Sequence, residues 1–437
     1  MRNWWLVGLI FLGCERPFIE TSEPELVVVE PDLTEVQTSR IITLRVQSIH
    51  FRAVQGVLLN GIPMDPAPPG PAYWQASINL RLGLNTFFLE ATDQEGVSRR
   101  DTAYAAYLPH LIFRNAPALP DGRGGHSLAR LRNGNLMVTG GTRRRGGPAQ
   151  GESFLLNRRS GTFSQMQDRL STPRTGHTAT VLPDGQILIV GGSRIDSPSR
   201  VSDLIETVEL YTPAGREPAF SEIPVQGQPI RRTNHVAIVR EANGEWLLDL
   251  IGGYGDVRYG SNPSFGVRRD LRTFKVELDG LTALNTINSA PFIDHPIADH
   301  TVTEAAHDTY FILGSQFDDG TAVNGNMRIT YPHSAGRTLS PLPGLLTPRT
   351  AHATAPVLNG LFAAFGGRLE SSEITTEIEL LHEQTDQFFS MKPSQAMVPR
   401  YHHTAISVGI RSVILIGGFN QNGTAITASE YFIVSRE

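Results

Sequence analysis

One stretch constrains this chain more than any other, the run RTGHTATVLPDGQILIVGG from Arg174 to Gly192. It reads as a strand from His177 to Leu182, a Pro-Asp-Gly turn, a second strand from Ile187 to Val190, and a closing glycine pair. The unit recurs. Marker histidines His126, His177, His235, His300, His352 and His403 follow one another at 51, 58, 65, 52 and 51 residues. Each leads into an apolar run and a closing pair whose second position is Gly141, Gly192, Gly253, Ser315, Gly367 or Gly418. From histidine to that position is 15 residues in five copies and 18 in the third, where Glu241 to Glu245 reads as a longer turn. Five copies carry an arginine three residues before the histidine (Arg123, Arg174, Arg232, Arg349, Arg400); the fourth has Ile297. Six copies of a unit of roughly 50 residues settle the architecture before any single residue does, because such a unit buries its faces only by stacking on its neighbours.

Each copy resolves into four strands. The apolar runs Ile187–Val190 and Val413–Ile416 are hydrophobic on both parities, as strands covered on both faces must be. Third strands read as Thr207–Tyr211 and Glu377–Leu381, and fourth strands as Phe163–Met166, Phe220–Ile223 and Phe388–Met391. The last copy ends after its third strand, Ser429–Val434, whereas Leu111–Pro120 precedes the first histidine with no inner strand of its own. That segment is expected to complete the last sheet and so remove an open edge. The period, histidine, apolar run and Gly-Gly together resemble the kelch repeat of the galactose oxidase-like propeller superfamily. The resemblance covers about residues 110–437 and implies an all-β fold: a six-bladed kelch-type β-propeller over 109–437. Forty-two glycines and 29 prolines suit many turns between short strands.

Upstream, residues 25–108 lack the marker and read as six or seven short strands. Val57-Leu-Leu runs into Asn60-Gly61, a pair suited to a type I′ turn, and Trp74–Leu80 alternates apolar and polar. The pattern resembles the Ig-like modules of bacterial surface proteins, which implies a small β-sandwich acting as a spacer. Residues 14–24 read as a polar tether. The first 13 residues carry Arg2 and a ten-residue apolar run from Trp4 to Gly13, too short to span a bilayer. The run ends at Cys14, the single cysteine of the chain, and resembles the lipobox of bacterial lipoproteins, with Phe11 where leucine is usual. The resemblance implies a signal peptide over 1–13, lipidation of Cys14 and a membrane held through a lipid anchor only. Glu15, in place of an aspartate, points to the outer membrane. An ordinary signal peptide with an incidental cysteine is the alternative.

The six histidines invite a metal reading, but a residue repeated once per unit is better explained as a packing and hydrogen-bonding element, and no metal is expected. The glycine pairs open no helix and so lack a phosphate cradle. The repeat arginines allow two readings: a ring that binds an anion, or internal pairing with repeat glutamates such as Glu206, Glu209, Glu379 and Glu430, the favoured one. Contact residues are therefore sought in the loops after the glycine pairs, on the arginine side of each unit. They are Arg143, Arg144, Arg145, Arg194, Tyr254, Asp256, Tyr259, Arg368 and Asn420, with Tyr254 to Asp270 the longest loop on that side and the first choice. A net charge of -5 argues against nucleic acid. Galactose oxidase chemistry needs a cysteine inside the propeller, and none is there. No catalytic residues and no cofactor are expected, and the function expected is binding of a protein or glycan partner at the bacterial envelope. The alternative is a carbohydrate-active envelope enzyme using loop carboxylates such as Asp318 and Asp319.

Overall fold

The structure is a computed structural model that describes residues 23–50, 52–213, 219–257, 264–277, 279–284, 296–305, 308–316, 322–323, 325–331 and 337–435. Cys14, the signal segment, most of the tether, Tyr259, Asp318 and Asp319 lie outside the described residues. Nearly every described element is a strand, the exception being one 3-10 turn at Val201–Asp203. The chain divides into two compact units. The first comprises residues up to Leu33, Arg40–Leu80 and Asn85–Ala105; Thr34–Ser39 and Arg81–Leu84 belong with Ala106–Glu437 in the second.

The first unit carries strands of two four-stranded sheets. Alternate residues Ile42, Leu44 and Val46 of one sheet, and Val57, Leu59, Phe87, Leu89 and Ala91 of the other, are buried. Period-two alternation thus gives each sheet one apolar face. At the Asn60-Gly61 turn both residues take positive φ, 51° and 81°, and Leu59 pairs with Ile62 across it.

The second unit contains six sheets of four or five strands, one per sequence repeat, an organisation consistent with a β-propeller. In the second sheet Thr178–Val181 pairs with Ile187–Val190, which pairs in turn with Val208–Thr212 and Ala219–Ile223. Ile187–Val190 is buried throughout, and its two parities serve two neighbours. Ile187 and Ile189 pack with Met137 of the first sheet; Leu188 and Val190 pack with Leu248, Leu250 and Phe274 of the third. The same sharing continues around the unit. Ile251 packs with Ile312, Phe311 with Phe362, Phe365 meets Phe432 at 5.3 Å, and Ile414 and Ile416 return to Leu136 and Val138. Each fully buried aliphatic is worth roughly 1.5–3 kcal/mol, so the apolar run is the main source of sheet-to-sheet cohesion. Leu111–Ala116 pairs antiparallel with Ser429–Val434 and is the outer strand of the sixth sheet.

The third repeat differs from its reading. Glu241 to Glu245 is not a loose longer turn: Val236–Ala242 and Glu245–Ile251 are long strands joined at Asn243-Gly244, with φ of 54° and 77°. The extra residues lengthen a hairpin because Asn-Gly is the favoured type I′ pair. Tyr254 to Asp270 is likewise no simple loop. Tyr254–Asp256 and Phe265–Val267 form a hairpin, and Arg232–Thr233 adds a third strand to it.

A closed ring of backbone hydrogen bonds links all six repeats. The residue immediately before each marker histidine donates its N–H to the carbonyl of its counterpart in the preceding repeat. Gly176 donates to Gly125 (2.8 Å), Asn234 to Gly176 (2.7 Å), Asp299 to Asn234 (3.3 Å), Ala351 to Asp299 (2.9 Å), His402 to Ala351 (2.8 Å), and Gly125 to His402 (2.9 Å). All six take positive φ, between 50° and 64°. Glycine, asparagine and aspartate tolerate this region; Ala351 and His402 are held in it by the ring.

Closing glycines are equally constrained. A Cβ on Gly192, where φ is 96°, would stand 2.8 Å from the Thr175 carbonyl oxygen. Gly192→Ala is expected to lower unfolding free energy by about 2–4 kcal/mol, combining backbone strain with this clash. Gly161→Ala, at φ 67° but facing open space, should lose only about 1 kcal/mol. Urea denaturation of the two variants side by side checks the difference.

Candidate functional site

The repeat arginines and histidines serve the fold itself. All five repeat arginines are buried, with exposures of 0–1%. Arg174 donates to Glu209 at 2.7 Å, Arg349 to Glu379 at 2.5 Å and Arg400 to Glu430 at 2.6 Å. Arg123 reaches Asp121 (2.6 Å) and Glu152 (3.2 Å), and Arg232 reaches Asp270 (3.1 Å). Glu206 is no partner of this set; it accepts from Arg231 at 2.6 Å. Each guanidinium of the Arg174, Arg232, Arg349 and Arg400 group also donates to the carbonyl of the first closing glycine, Gly191, Gly252, Gly366 and Gly417. The second glycine donates its N–H to the next arginine's carbonyl, as from Gly141 to Arg174, Gly192 to Arg232 and Gly418 to Arg123. One arginine therefore joins strand ends and the closing turn of its own repeat through its side chain, and the preceding sheet through its backbone carbonyl. The carboxylates are satisfied as well: Glu209 accepts the N–H groups of Ser171 and Thr172, and Glu379 those of Leu346 and Thr347. In the fourth repeat Ile297 has no guanidinium; there Asn326 accepts from Gly314 N–H and donates to the Pro343 carbonyl.

The marker histidines also serve the sheets. His126 Nε2 meets Thr404 (2.9 Å), His177 meets Ser127 (2.7 Å), His235 meets Thr178 (3.4 Å) and His352 meets Thr301 (3.2 Å). In each case the partner is the residue after the preceding repeat's histidine. For His300 and His403 that position holds Val236 and Ala353, which have no hydroxyl. Burial pushes His126, His300 and His352 down to about 3, and His177, His235 and His403 well below the ordinary range. The repeat arginine adds to burial in every copy but the fourth, where Ile297 stands.

What remains lies on either side of the hydrogen-bond ring. On one side a cavity of about 570 Å³ is lined by the marker histidines, by threonine, alanine and valine of the inner strands, by Glu304, and by the ring residues Asn234, Asp299, Ala351 and His402, which it shares with the recess on the other side. On the other side, among the loops, a recess of about 190 Å³ is lined by Arg145, Ser197, Tyr254, Asp299, Arg368 and His402, together with Asn234 and Ala351 of the ring. Asp299 is its centre. Oδ1 accepts from Asn234 Nδ2 at 2.6 Å, Oδ2 accepts from the Tyr254 hydroxyl at 3.3 Å, and His402 Nε2 stands 3.9 Å away. Burial raises the Asp299 carboxyl above its ordinary value. Arg368 lies over the Tyr401 ring at 5.3 Å, and Tyr254 stacks on Phe265 at 6.0 Å.

Of the loop residues singled out from sequence, Arg145, Tyr254 and Arg368 come together in this recess. Arg143 is tied to Asp121 at 2.7 Å, and Asn420 caps its own turn by accepting from Asn422 and Thr424. Asp256 is buried and accepts from Ser264 N–H. Arg144 and Arg194 are exposed outside the recess lining. Sequence reading missed Asn234, Asp299 and His402. Their signal was the residue just before each marker histidine: small in three repeats, polar in these three.

Sheets of this number and kind in an all-β chain define a propeller-like protein with a polar recess at one end of its ring. Among solved structures it is similar in fold to that of YjhT, with a TM-score of 0.54 and 14% identity over 72% of this chain and 95% of that one. No family model and no curated protein matches the chain.

Two outcomes follow for stability. Glu209→Ala leaves the Arg174 guanidinium buried without a counter-charge and should cost about 3–5 kcal/mol by urea denaturation. Because the six histidines are depressed in the fold and ordinary when unfolded, the unfolded chain takes up protons first. Stability is complete above about pH 6.5 and is lost as pH falls toward 3, by up to about 1.4 kcal/mol per pH unit for each histidine. His403 has no hydrogen-bond partner among the described residues. His403→Leu should reduce the slope between pH 6.5 and 5 by close to one proton.

Proposed function

We propose that this chain is an exported lipoprotein of the bacterial outer membrane, anchored through Cys14, with an Ig-like spacer and a six-bladed kelch-type propeller that binds a protein or glycan partner. The observation that carries the binding reading is a division of labour among arginines. The repeat arginines are enclosed and matched by carboxylates, whereas Arg145 and Arg368 face the recess beside Tyr254. An aromatic and two guanidiniums around a concave polar centre on rigid sheets is an arrangement suited to recognition.

The test is affinity capture from native envelopes with the full-length protein and two variants. Arg145→Ala/Arg368→Ala is expected to lose the partner at least tenfold, and Arg143→Ala, which is tied to Asp121, to keep it. Equal recovery with all three baits would sink this choice of face. Recovery of a chemically altered glycan would replace binding with catalysis. In the same strains Cys14→Ser should move the protein from the membrane to the soluble fraction; unchanged membrane partition would remove the anchor.

A further inference from the structure

We propose that the recess takes a small zwitterion of the α-amino acid class, with its carboxylate toward Arg145 and Arg368 and its ammonium toward Asp299. The inference rests on the recess being the binding site and names the ligand chemistry its walls demand. Its volume, about 190 Å³, equals only a handful of waters at about 30 Å³ each.

The walls carry opposite charges that form no direct ion pair with each other among the described residues. The Asp299 side chain is 9% exposed, and its two close partners, Asn234 and the Tyr254 hydroxyl, are neutral donors. No lysine or arginine reaches it at ion-pair distance among the described residues; burial disfavours its charge, His402 at 3.9 Å opposes that effect, and the nearby Asp196 carboxylate adds to it. A buried carboxylate in that state gains from an incoming cation. Across the recess Arg145 and Arg368 are neighbours: burial, and then the Arg145 charge, lower Arg368 from its ordinary value, with Tyr401 and Asp299 opposing. Arg145 donates to the Tyr401 hydroxyl, and Arg368 lies on the Tyr401 face. Neither has a carboxylate within ion-pair distance among the described residues. A simple anion would satisfy the arginines but face Asp299, and a simple cation would do the reverse. A ligand with both charges, a few bonds apart, satisfies both walls.

Calorimetric titration of the full-length protein with glycine, alanine and serine, beside acetate and methylammonium, tests this. At least one amino acid should bind, and each single-charge compound should bind tenfold or more weakly than it. Asp299→Asn suits the positive φ of 55° and keeps the side-chain shape. It should weaken the amino acid tenfold or more while acetate is unchanged or tighter. Arg368→Gln should weaken both. Acetate binding as tightly as the amino acids, or no heat with any of them while circular dichroism shows folded protein, would overturn the proposal. Partner capture with the same variants separates the two readings. A partner lost with Arg145→Ala/Arg368→Ala, alongside no amino-acid binding, retires the ligand class and leaves the face. Amino-acid binding with unaltered partner capture retires the face for the partner and leaves the ligand.

Discussion

The six-membered ring of backbone hydrogen bonds is the constraint from which the rest of the second unit follows. Each link asks a residue to donate to the repeat before it and accept from the repeat after it, and only positive φ points both groups that way. Six repeats must then present the same geometry at one position, which forces every marker histidine that follows into register. The closing glycines are set by the same approach, since their N–H groups reach the next arginine's carbonyl at distances such as 2.7 Å for Gly418 to Arg123. A side chain at those glycines would run into the start of the same repeat's inner strand, as a Cβ on Gly418 would stand 2.8 Å from the Tyr401 carbonyl oxygen. Local conformation and closure of the unit are thus one requirement.

The buried arginines show how such closure is stabilised without a large apolar axis. A guanidinium offers five donors in a fixed plane, enough to hold a glycine carbonyl, a strand carbonyl and a carboxylate at once. Arg400 does this with Gly417, Ala428 and Glu430. Pairing alone would barely offset the loss of water around two charges, but in Arg174, Arg349 and Arg400 the Nε donor is also occupied, by the Thr172, Thr347 and Val398 carbonyls. The fourth repeat tests the logic from within the molecule. It lacks the arginine, places Ile297 in the apolar cluster, and recruits Asn326 to meet the same glycine. The glycine is again held by a neutral polar group, through its N–H instead of its carbonyl, and the charge is dispensed with.

Much of this was legible because repetition turns geometry into pattern. Histidine spacing, two-parity apolar runs and the orphan strand Leu111–Ala116 each reflect a physical need that recurs in every copy. The sequence also offered two readings of the arginines, and pairing is the one realised, although Asp270 and Glu152 serve where Glu206 was considered. Asn243-Gly244 was overlooked because the longer spacing of the third repeat looked like slack, when it was extra strand. The recess was only half legible. Arg145, Tyr254 and Arg368 stand in loops where recognition is sought, but Asp299 and His402 sit inside the repeat itself, where attention falls on what is constant.

That position explains how a symmetric scaffold acquires a distinct site. The ring requires a backbone conformation and leaves the side chain unspecified, provided it tolerates positive φ. Gly125, Gly176 and Ala351 add little or nothing beyond the backbone, whereas Asn234, Asp299 and His402 extend polar groups into one recess. The three polar residues lie on the third, fourth and sixth repeats, so the ring position is not equivalent from repeat to repeat. Loops from the first and fifth repeats then bring Arg145 and Arg368 to it. Charge asymmetry can be built there at small cost to the fold, because hydrogen bonds that close the ring use none of those side-chain atoms.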